Sequence, residues 1–520
     1  MGVFLGLDSS TQSLSALAVD TDTREVVLSE SVNFGKSLSE FDSPHGFLED
    51  ENPQRKHSNP LMWVKALDVL FAAIRAKGFD LGRVNGISGA GQQHGSVYLR
   101  ESLSGRRWST STPLADQVKP LLSRDTAPIW MDSSTSQECR EIAASVGGDE
   151  RVVAISGSRA IERFTGPQIR KFYKDEPARY ELTKQIHLVS SFIASLLVGE
   201  TAGIDYGDGA GMNLLDLAEG AWSGPLLEAT APGLASRLPP LVACTTRVGT
   251  IDPYFVEKYG FAAGTPVIAF TGDNPSSLVG MGATEPGTAV VSLGTSDTVF
   301  AAMREPRTDP RGFGHVFGNP GGGFMSLICF ANGSLAREAV ANKFGLDWPA
   351  FDRALREETK PGNGGNLMLP FFVPEMTPKI GAPSVRLFGE ADFVAWQRPQ
   401  AAVRAIVEAQ ALSMKRHSDW IGQSPEIILV TGGASRNRGI LQVIADVFQA
   451  EIRTLTVGNS SALGGALRAA QGAGNVNFKE LTRDFVAIDP ELRVTPDRSV
   501  KGVYDELAGR FAEKLAELGV

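Results

Sequence analysis

Residues 3 to 20, VFLGLDSSTQSLSALAVD, read as two apolar strands joined by the polar turn Ser9 to Ser13, and residues 288 to 303, TAVVSLGTSDTVFAAM, repeat that design around a Gly-Thr-Ser turn. Alternating or continuous apolar runs bounded by such turns predict antiparallel hairpins. Their recurrence predicts a chain of two related halves, each opening with a hydroxyl-rich hairpin. Each turn offers hydroxyls and backbone N–H groups to an anion, and two of them facing each other would clamp a phosphate. Taken singly, each is equally a surface turn whose Ser and Thr satisfy their own backbone. A chain of 520 residues also exceeds what one hydrophobic core serves, so two domains of about 200 to 250 residues with a cleft between them are expected.

Fifty basic against fifty-nine acidic residues leave a net charge of −9, which argues against a broad nucleic-acid or anionic-membrane surface. A bound anion must therefore be held locally. The three cysteines, Cys139, Cys244 and Cys329, are far apart and form no C-x-x-C pair, so neither a disulfide framework nor a zinc site is expected and a reducing cytoplasm fits. The N-terminus runs straight into the strand-like VFLGLD without a charged leader, and no apolar run is long enough to span a bilayer. The 56 glycines point to many tight turns and close backbone approaches.

The stretch Pro266 to Ser277, PVIAFTGDNPSS, carries the chemistry most plainly. Pro266 to Phe270 reads as a buried strand that delivers Asp273 and Asn274 to its carboxyl end, where open α/β sheets place their ligands. Asp273 also reads as the cap of a helix starting near Pro275. A second strand, Val84 to Ser88, feeds GAGQQHG, whose glycines allow close backbone approach and whose Gln92, Gln93 and His94 suit a polyhydroxyl ligand. Asp132, in PIWMD, is either a helix cap or a ligand group, and Arg163 and Phe164 fall in the Gly-bounded loop SGSRAIERFTG.

Helices are expected from Asn59-Pro60 to Gly78, over Lys184 to Val198, over Gly345 to Glu357 with Trp348, over Gln400 to Trp420, over Arg438 to Phe448 and from Lys501 onward. The last of these should bury Val503, Leu507, Phe511, Leu515 and Leu518. Glu426 to Val430 reads as a strand running into TGGASRN and a helix start, a way for backbone to approach a nucleotide.

In order along the chain, Asp8-Ser9-Ser10-Thr11-Gln12, GAGQQHGS, WMDSS, SRAIERFTG, TGDNPSS, SLGTSDT and TGGASRN resemble the FGGY carbohydrate kinases, and within them most closely the eukaryotic-type xylulokinase branch. The resemblance runs from Gly6 to about Leu467. It implies an α/β fold of two actin-like ATPase (ribonuclease-H-like) domains, with mixed sheets flanked by helices and a central cleft. The domains would be 1–262, bearing the sugar site, and 263–505, bearing the ATP site and the catalytic Asp, followed by a terminal helix, 506–520.

Carried over by position, the resemblance makes Asp273 the catalytic base and His94, Arg163, Asp273 and Asn274 the ketose-binding residues. Thr11 and the Gly294-Thr295-Ser296 turn would hold phosphates. Gly433, Ala434 and Asn437 would hold adenine and ribose, with Trp348 stacking near the adenine, and Asp8 would hold Mg2+ through water. The implied reaction transfers the γ-phosphoryl group of ATP to the O5 hydroxyl of D-xylulose, in a cytoplasmic monomer or homodimer whose partners are small molecules, with no nucleic acid or membrane among them. Bacterial-type members carry Gln-Met-His in place of Gln92-Gln93-His94 and lack part of the stretches near 35–59 and 100–126. An FGGY kinase for another ketose or polyol, and a non-catalytic actin-like nucleotide-binding protein, are the alternatives. A Ser or Cys hydrolase lacks a Gly-x-Ser-x-Gly elbow.

Overall fold

The computed structural model describes residues 2–456, 458–474 and 476–520. The chain forms two compact units, one of Met1–Thr284, Val316–Phe324 and Val457–Val486, the other of Glu285–His315, Met325–Thr456 and Ala487–Val520.

The first unit is built on a mixed sheet. Its strands are β1 (Val3–Ser9), β2 (Ser13–Asp20), β3 (Glu25–Asn33) and β4 (Val84–Gly91), with β5 (Ser96–Leu99) and β6 (Gln185–Leu188) pairing apart from it; β7 (Arg247–Thr250), β8 (Pro266–Ile268) and β9 (Thr271–Gly272) complete it. The spatial order is β7-β8-β4-β1-β2-β3, and β9 also pairs with β4. The hairpin pairs β1 and β2 are antiparallel, whereas β1, β8 and β9 all run parallel to β4.

Both faces of β1 are buried, which is why its sequence is apolar at nearly every position instead of alternating. Leu5 and Leu7 join a core with Trp63, Leu67 and Phe71 of the Pro60–Ala76 helix and with Phe192 and Ile193 of the Val189–Val198 helix. Phe4 faces the opposite side, against Ala462, Leu463 and Ala466 of the Ser460–Gly474 helix. The Ser460–Gly474 helix lies almost on the sheet backbone: a Cβ on Gly6 would stand 1.9 Å from the Ala462 carbonyl oxygen, and one on Gly465 would meet Cα of Gly89 at 3.1 Å. Glycine here provides close approach.

The second unit repeats the plan. A hairpin of β10 (Thr288–Leu293) and β11 (Asp297–Met303) is joined by β12 (Ile427–Thr431), parallel to β10, then by β13 (Glu451–Leu455) and β14 (Ile488–Val494), within a seven-stranded sheet. The order β11-β10-β12 here matches β2-β1-β4 in the first unit, so the two hairpins occupy the same place in two related mixed sheets.

The expected division at residues 262 and 263 differs from this grouping. Thr271–Gly272 pairs with β4, and the Ser460–Gly474 helix packs on β1 and β4, so both belong with the first unit. The Lys184–Val198 segment is not one helix: Gln185–Leu188 pairs antiparallel with Ser96–Leu99, and the helix starts at Val189. Ile186 and Val189 stand three apart in either arrangement, so the apolar spacing did not separate them. The expected strand at Pro266–Phe270 stops at Ile268, where the Ala269 carbonyl instead takes bonds from Ser88 Oγ and Arg468 Nη1. In the last helix, Lys501–Ala516, Tyr504 is buried in place of Val503, which is 42 % exposed.

Candidate active site

Three parallel strands end side by side in the first unit. Asp8 is opposite Ala90 in the β1–β4 pair, and Gly272 is opposite Gly91 in the β9–β4 pair. Their carboxyl ends therefore deliver Asp8, the Gln92-Gln93-His94 run and Asp273 to one edge of the sheet, where a ligand of an α/β protein sits. Asp273 begins the helix Asp273–Gly280, and its Oδ1 accepts from the backbone N–H of Asn274 at 2.9 Å and of Gln93 at 3.3 Å. The Asn274 side chain donates to Gln93 Oε1 at 2.8 Å. Gln93 is 2 % exposed, and a Cβ on Gly272 would stand 2.4 Å from its Cγ, so only glycine before Asp273 admits this side chain.

Both carboxylates are shifted upward. Burial, then the charge of Asp273, pushes Asp8 up to about 7, opposed by a hydrogen bond from Ser461. Burial pushes Asp273 up to about 6, opposed by the backbone N–H groups of Gln93 and Asn274. A cation beside this pair would offset both penalties. Among the described residues no group of three or more His, Cys, Asp or Glu side chains forms a metal cage. One or two carboxylates with waters and substrate phosphates are what Mg2+ ordinarily takes, so Asp8 fits that ion and not a caged one.

His94 adopts φ +70°. Its Nδ1–H donates to the Gly211 carbonyl at 2.7 Å, and its ring packs on Phe164 with centroids 4.2 Å apart. The Arg163 guanidinium lies 5.8 Å from the centroid of that same Phe164 ring, so the fold brings His94 and Arg163 together across one aromatic side chain. In the β1–β2 turn, Thr11 Oγ1 accepts from the exposed Trp130 indole at 2.8 Å. Asp132 is committed locally: its carboxylate accepts from Lys56 N, Ser134 N, Ser134 Oγ and Gln168 Nε2.

In the second unit, β10 and β12 also end together, Ser292 opposite Thr431. The Gly294-Thr295-Ser296 turn leaves one strand and Gly432-Gly433-Ala434 the other. Gly432 has φ +94°, and a Cβ there would be 2.5 Å from the Leu293 carbonyl, whereas a Cβ on Gly433 would have open space around it. The Ala434 N–H donates to the Leu293 carbonyl at 3.4 Å, and Asn437 caps the Arg438–Phe448 helix by accepting from Ile440 N at 2.9 Å. Trp348, 47 % exposed, starts a helix whose Asp352 accepts from the Gly439 N–H at 2.8 Å. The fold thus groups Gly294, Thr295, Gly433, Ala434, Asn437 and the Trp348 helix in the second unit, and Asp8, Thr11, His94, Arg163, Asp273 and Asn274 in the first.

Ser461, which donates to Asp8 Oδ1, was not among the expected site residues; Gln93, expected only to suit a polyhydroxyl ligand, also bonds both Asp273 and Asn274. The glycines in SSALGGALRAA were the available signal that this helix runs against backbone. Nothing local tied it to Asp8.

The family model described as "FGGY family of carbohydrate kinases, N-terminal domain" matches residues 3–280, and its C-terminal counterpart matches residues 289–473. The chain belongs to the FGGY family of carbohydrate kinases. Among its relatives, the xylulose kinase of Rattus norvegicus is 42 % identical, with 98 % of this chain and 96 % of that protein covered. Xylulose kinase 2 of Arabidopsis thaliana is 40 % identical over 90 % of this chain and 87 % of its own. The FGGY fold is shared with the solved xylulose kinase of Rhodospirillum rubrum at a TM-score of 0.84 and 23 % identity, with 99 % of each chain covered. The glycerol kinase of Plasmodium falciparum, solved with ADP, gives 0.80 at 14 % identity, covering 99 % of this chain and 98 % of that one. The two mixed sheets are those of an FGGY kinase, an actin-like ATPase fold, and the chain is a carbohydrate kinase.

Proposed function

We propose that the chain transfers the γ-phosphoryl group of ATP to the O5 hydroxyl of D-xylulose, giving D-xylulose 5-phosphate and ADP. The substrate follows from full-length relatives, named xylulose kinases, at 40 to 42 % identity. The observation that carries the chemistry is Asp273, a carboxylate at the strand edge pushed up to about 6. At pH 7 such a group is ionised in about nine molecules of ten, and it is a stronger base than a solvated aspartate.

Asp273 takes the O5 proton as the O5–phosphorus bond forms and the bond to the bridging oxygen of ADP breaks. A loose transition state delays proton loss, so much of the rate comes from aiming the hydroxyl in line with phosphorus. The two backbone N–H groups on Oδ1 hold the carboxylate for that task. Asn274, His94 and Arg163 bind the sugar hydroxyls. A hydroxyl that is missing or inverted leaves such buried groups unpaired, which discriminates by roughly ten-thousand-fold in sites built this way.

Thr11 and the Gly294-Thr295 turn present N–H and hydroxyl donors to the phosphates. Gly433, Ala434, Asn437 and Trp348 receive the nucleoside; the open space above Gly433 suits an approaching base. Asp8 would hold Mg2+, and the ion would supply neutralisation of charge on the phosphate oxygens. The enzyme works in the cytoplasm, as a monomer or homodimer, on small molecules alone.

The test is ADP release with Mg2+ and ATP across D-xylulose, L-xylulose, D-ribulose, L-ribulose, D-fructose, glycerol and no sugar. Turnover confined to D-xylulose is expected. Equal or faster turnover of another sugar would reassign the substrate within the family, and a flat profile at the sugar-free rate would overturn phosphoryl transfer to a sugar.

A further inference from the structure

Beneath the edge that carries Asp273 and His94 runs the Asp205–Asn213 turn. A Cβ on Gly207 would stand 2.7 Å from Thr271 Oγ1, and one on Gly211 would stand 3.0 Å from the His94 ring, so the turn packs directly on both. Asp205 shapes it, its carboxylate accepting from the N–H groups of Asp208 at 3.0 Å and Gly207 at 3.2 Å.

Asp208 plays no such part in the turn. It is 1 % exposed; Ser190 Oγ donates to its Oδ2, while its Oδ1 has no hydrogen-bond partner among the described residues. A buried carboxyl with one oxygen unpaired is costly to keep. The groups facing it make its ionisation harder still: Asp205 on its own turn and Asp273 on the neighbouring helix are negative. Arg468, on the Ser460–Gly474 helix, attracts it but is already bonded to the carbonyls of Ala269 and Gly89. Burial, with these two carboxylates, pushes Asp208 well above the ordinary carboxylate range.

The other end of its one bond is equally placed. Ser190 lies in the first turn of the Val189–Val198 helix, and its backbone N would be 2.5 Å from a Cβ on Gly91. Gly91 pairs with Gly272, the residue before Asp273.

We propose that Asp208 is a positioning residue: through Ser190 it clamps the Asp205–Asn213 turn to the Gly91–Gly272 rung and thereby sets where Asp273 and His94 stand relative to the sugar. The inference rests on Asp273 being the base. What the clamp requires of residue 208 is an acceptor for the Ser190 hydroxyl, not a charge.

The experiment compares full-length Asp208→Asn, Asp208→Ala and Ser190→Ala, measuring kcat, KM for D-xylulose and for ATP, and melting temperature. Asp208→Asn, which keeps shape and acceptor, retains kcat within about threefold. Asp208→Ala and Ser190→Ala lose kcat by about ten- to a hundred-fold, the scale of a small misplacement of reacting groups, while KM for ATP stays within about twofold. A merely structural role would lower the melting temperature without this split between kcat and KM. If Asp208→Ala does not fold, Ser190→Ala, which removes a single oxygen, decides the question. Wild-type kcat in Ser190→Ala, or an Asp208→Asn variant as slow as Asp208→Ala, would overturn the proposal. Full activity in Asp273→Asn would instead overturn the base assignment, whatever the Asp208 variants do.

Discussion

The hydroxyl of Ser461 donates a 3.0 Å hydrogen bond to Asp8 Oδ1, joining residues 453 positions apart. Among the described residues it is the one side-chain bond that opposes the burial and the Asp273 charge acting on Asp8. Ser461→Ala is expected to push the Asp8 carboxyl higher and to raise the Mg2+ concentration needed for half-maximal activity by about tenfold, as losing a group that supports a metal ligand does. KM for the sugar should stay within about twofold. Titrating ADP release with Mg2+ checks this, and an unmoved midpoint would take Asp8 out of the metal site.

Asp273→Asn keeps the shape of the side chain and its place at the head of the Asp273–Gly280 helix but removes the base. A loss in kcat of about a hundred- to ten-thousand-fold is expected, the range that general bases contribute. Melting temperature serves as the folding control. Turnover within a few-fold of wild type would mean that another group accepts the proton.

The same carboxylates make activity and stability depend on pH in opposite directions. Activity that needs ionised Asp273 should fall about tenfold per pH unit below about 6. For stability, both folded-state values lie above the ordinary value of 3.8, at about 6 for Asp273 and about 7 for Asp8. The folded protein therefore binds more protons than the unfolded chain between pH 4 and 7. These two groups thus destabilise the fold progressively as pH rises through that window. In metal-free buffer at pH 7.5, Asp273→Asn and Asp8→Asn should each be more stable than wild type, by about 1 to 3 kcal/mol, and the gain should shrink toward pH 4. Calorimetry at both pH values tests the sign.

Two neighbouring glycines separate fold from function in the second unit. Gly432→Ala places a Cβ 2.5 Å from the Leu293 carbonyl at φ +94° and should destabilise the protein by more than about 1 kcal/mol. A Cβ on Gly433 meets open space, and Gly433→Leu should leave the melting temperature within about two degrees while raising KM for ATP at least about tenfold. Unchanged KM for ATP would place the nucleoside elsewhere.

How much of this was legible beforehand followed the range of the interactions. The two hairpins and the end-of-strand position of Asp273 rest on contiguous apolar runs closed by Gly, Ser and Pro, so they could be read residue by residue. Gln185–Leu188 could not, because its apolar residues continue the spacing of the helix that follows; its pairing with Ser96–Leu99, nearly ninety residues away, decided the matter. The bond from Ser461 to Asp8 and the burial of Asp208 carried no local signal at all. His94 was nameable from GAGQQHG, but its orientation comes from Gly211 and Phe164, both far along the chain.

By itself the sequence determined the family, the paired α/β plan and the identity of the groups that carry charge and hydroxyls, because strand period, turn chemistry and motif order are properties of short stretches. Only the tertiary structure decided which stretches share a unit and how far each carboxylate departs from its ordinary acidity. Residues 457–486 fold with the first unit, where the Ser460–Gly474 helix rests on glycines of β1 and β4. That helix helps to bury Asp8 and also supplies the Ser461 bond that opposes the shift. Desolvation and the field of neighbouring charges depend on distance in space, and for Asp8, Asp208 and Asp273 the neighbours that matter come from segments up to 453 residues away.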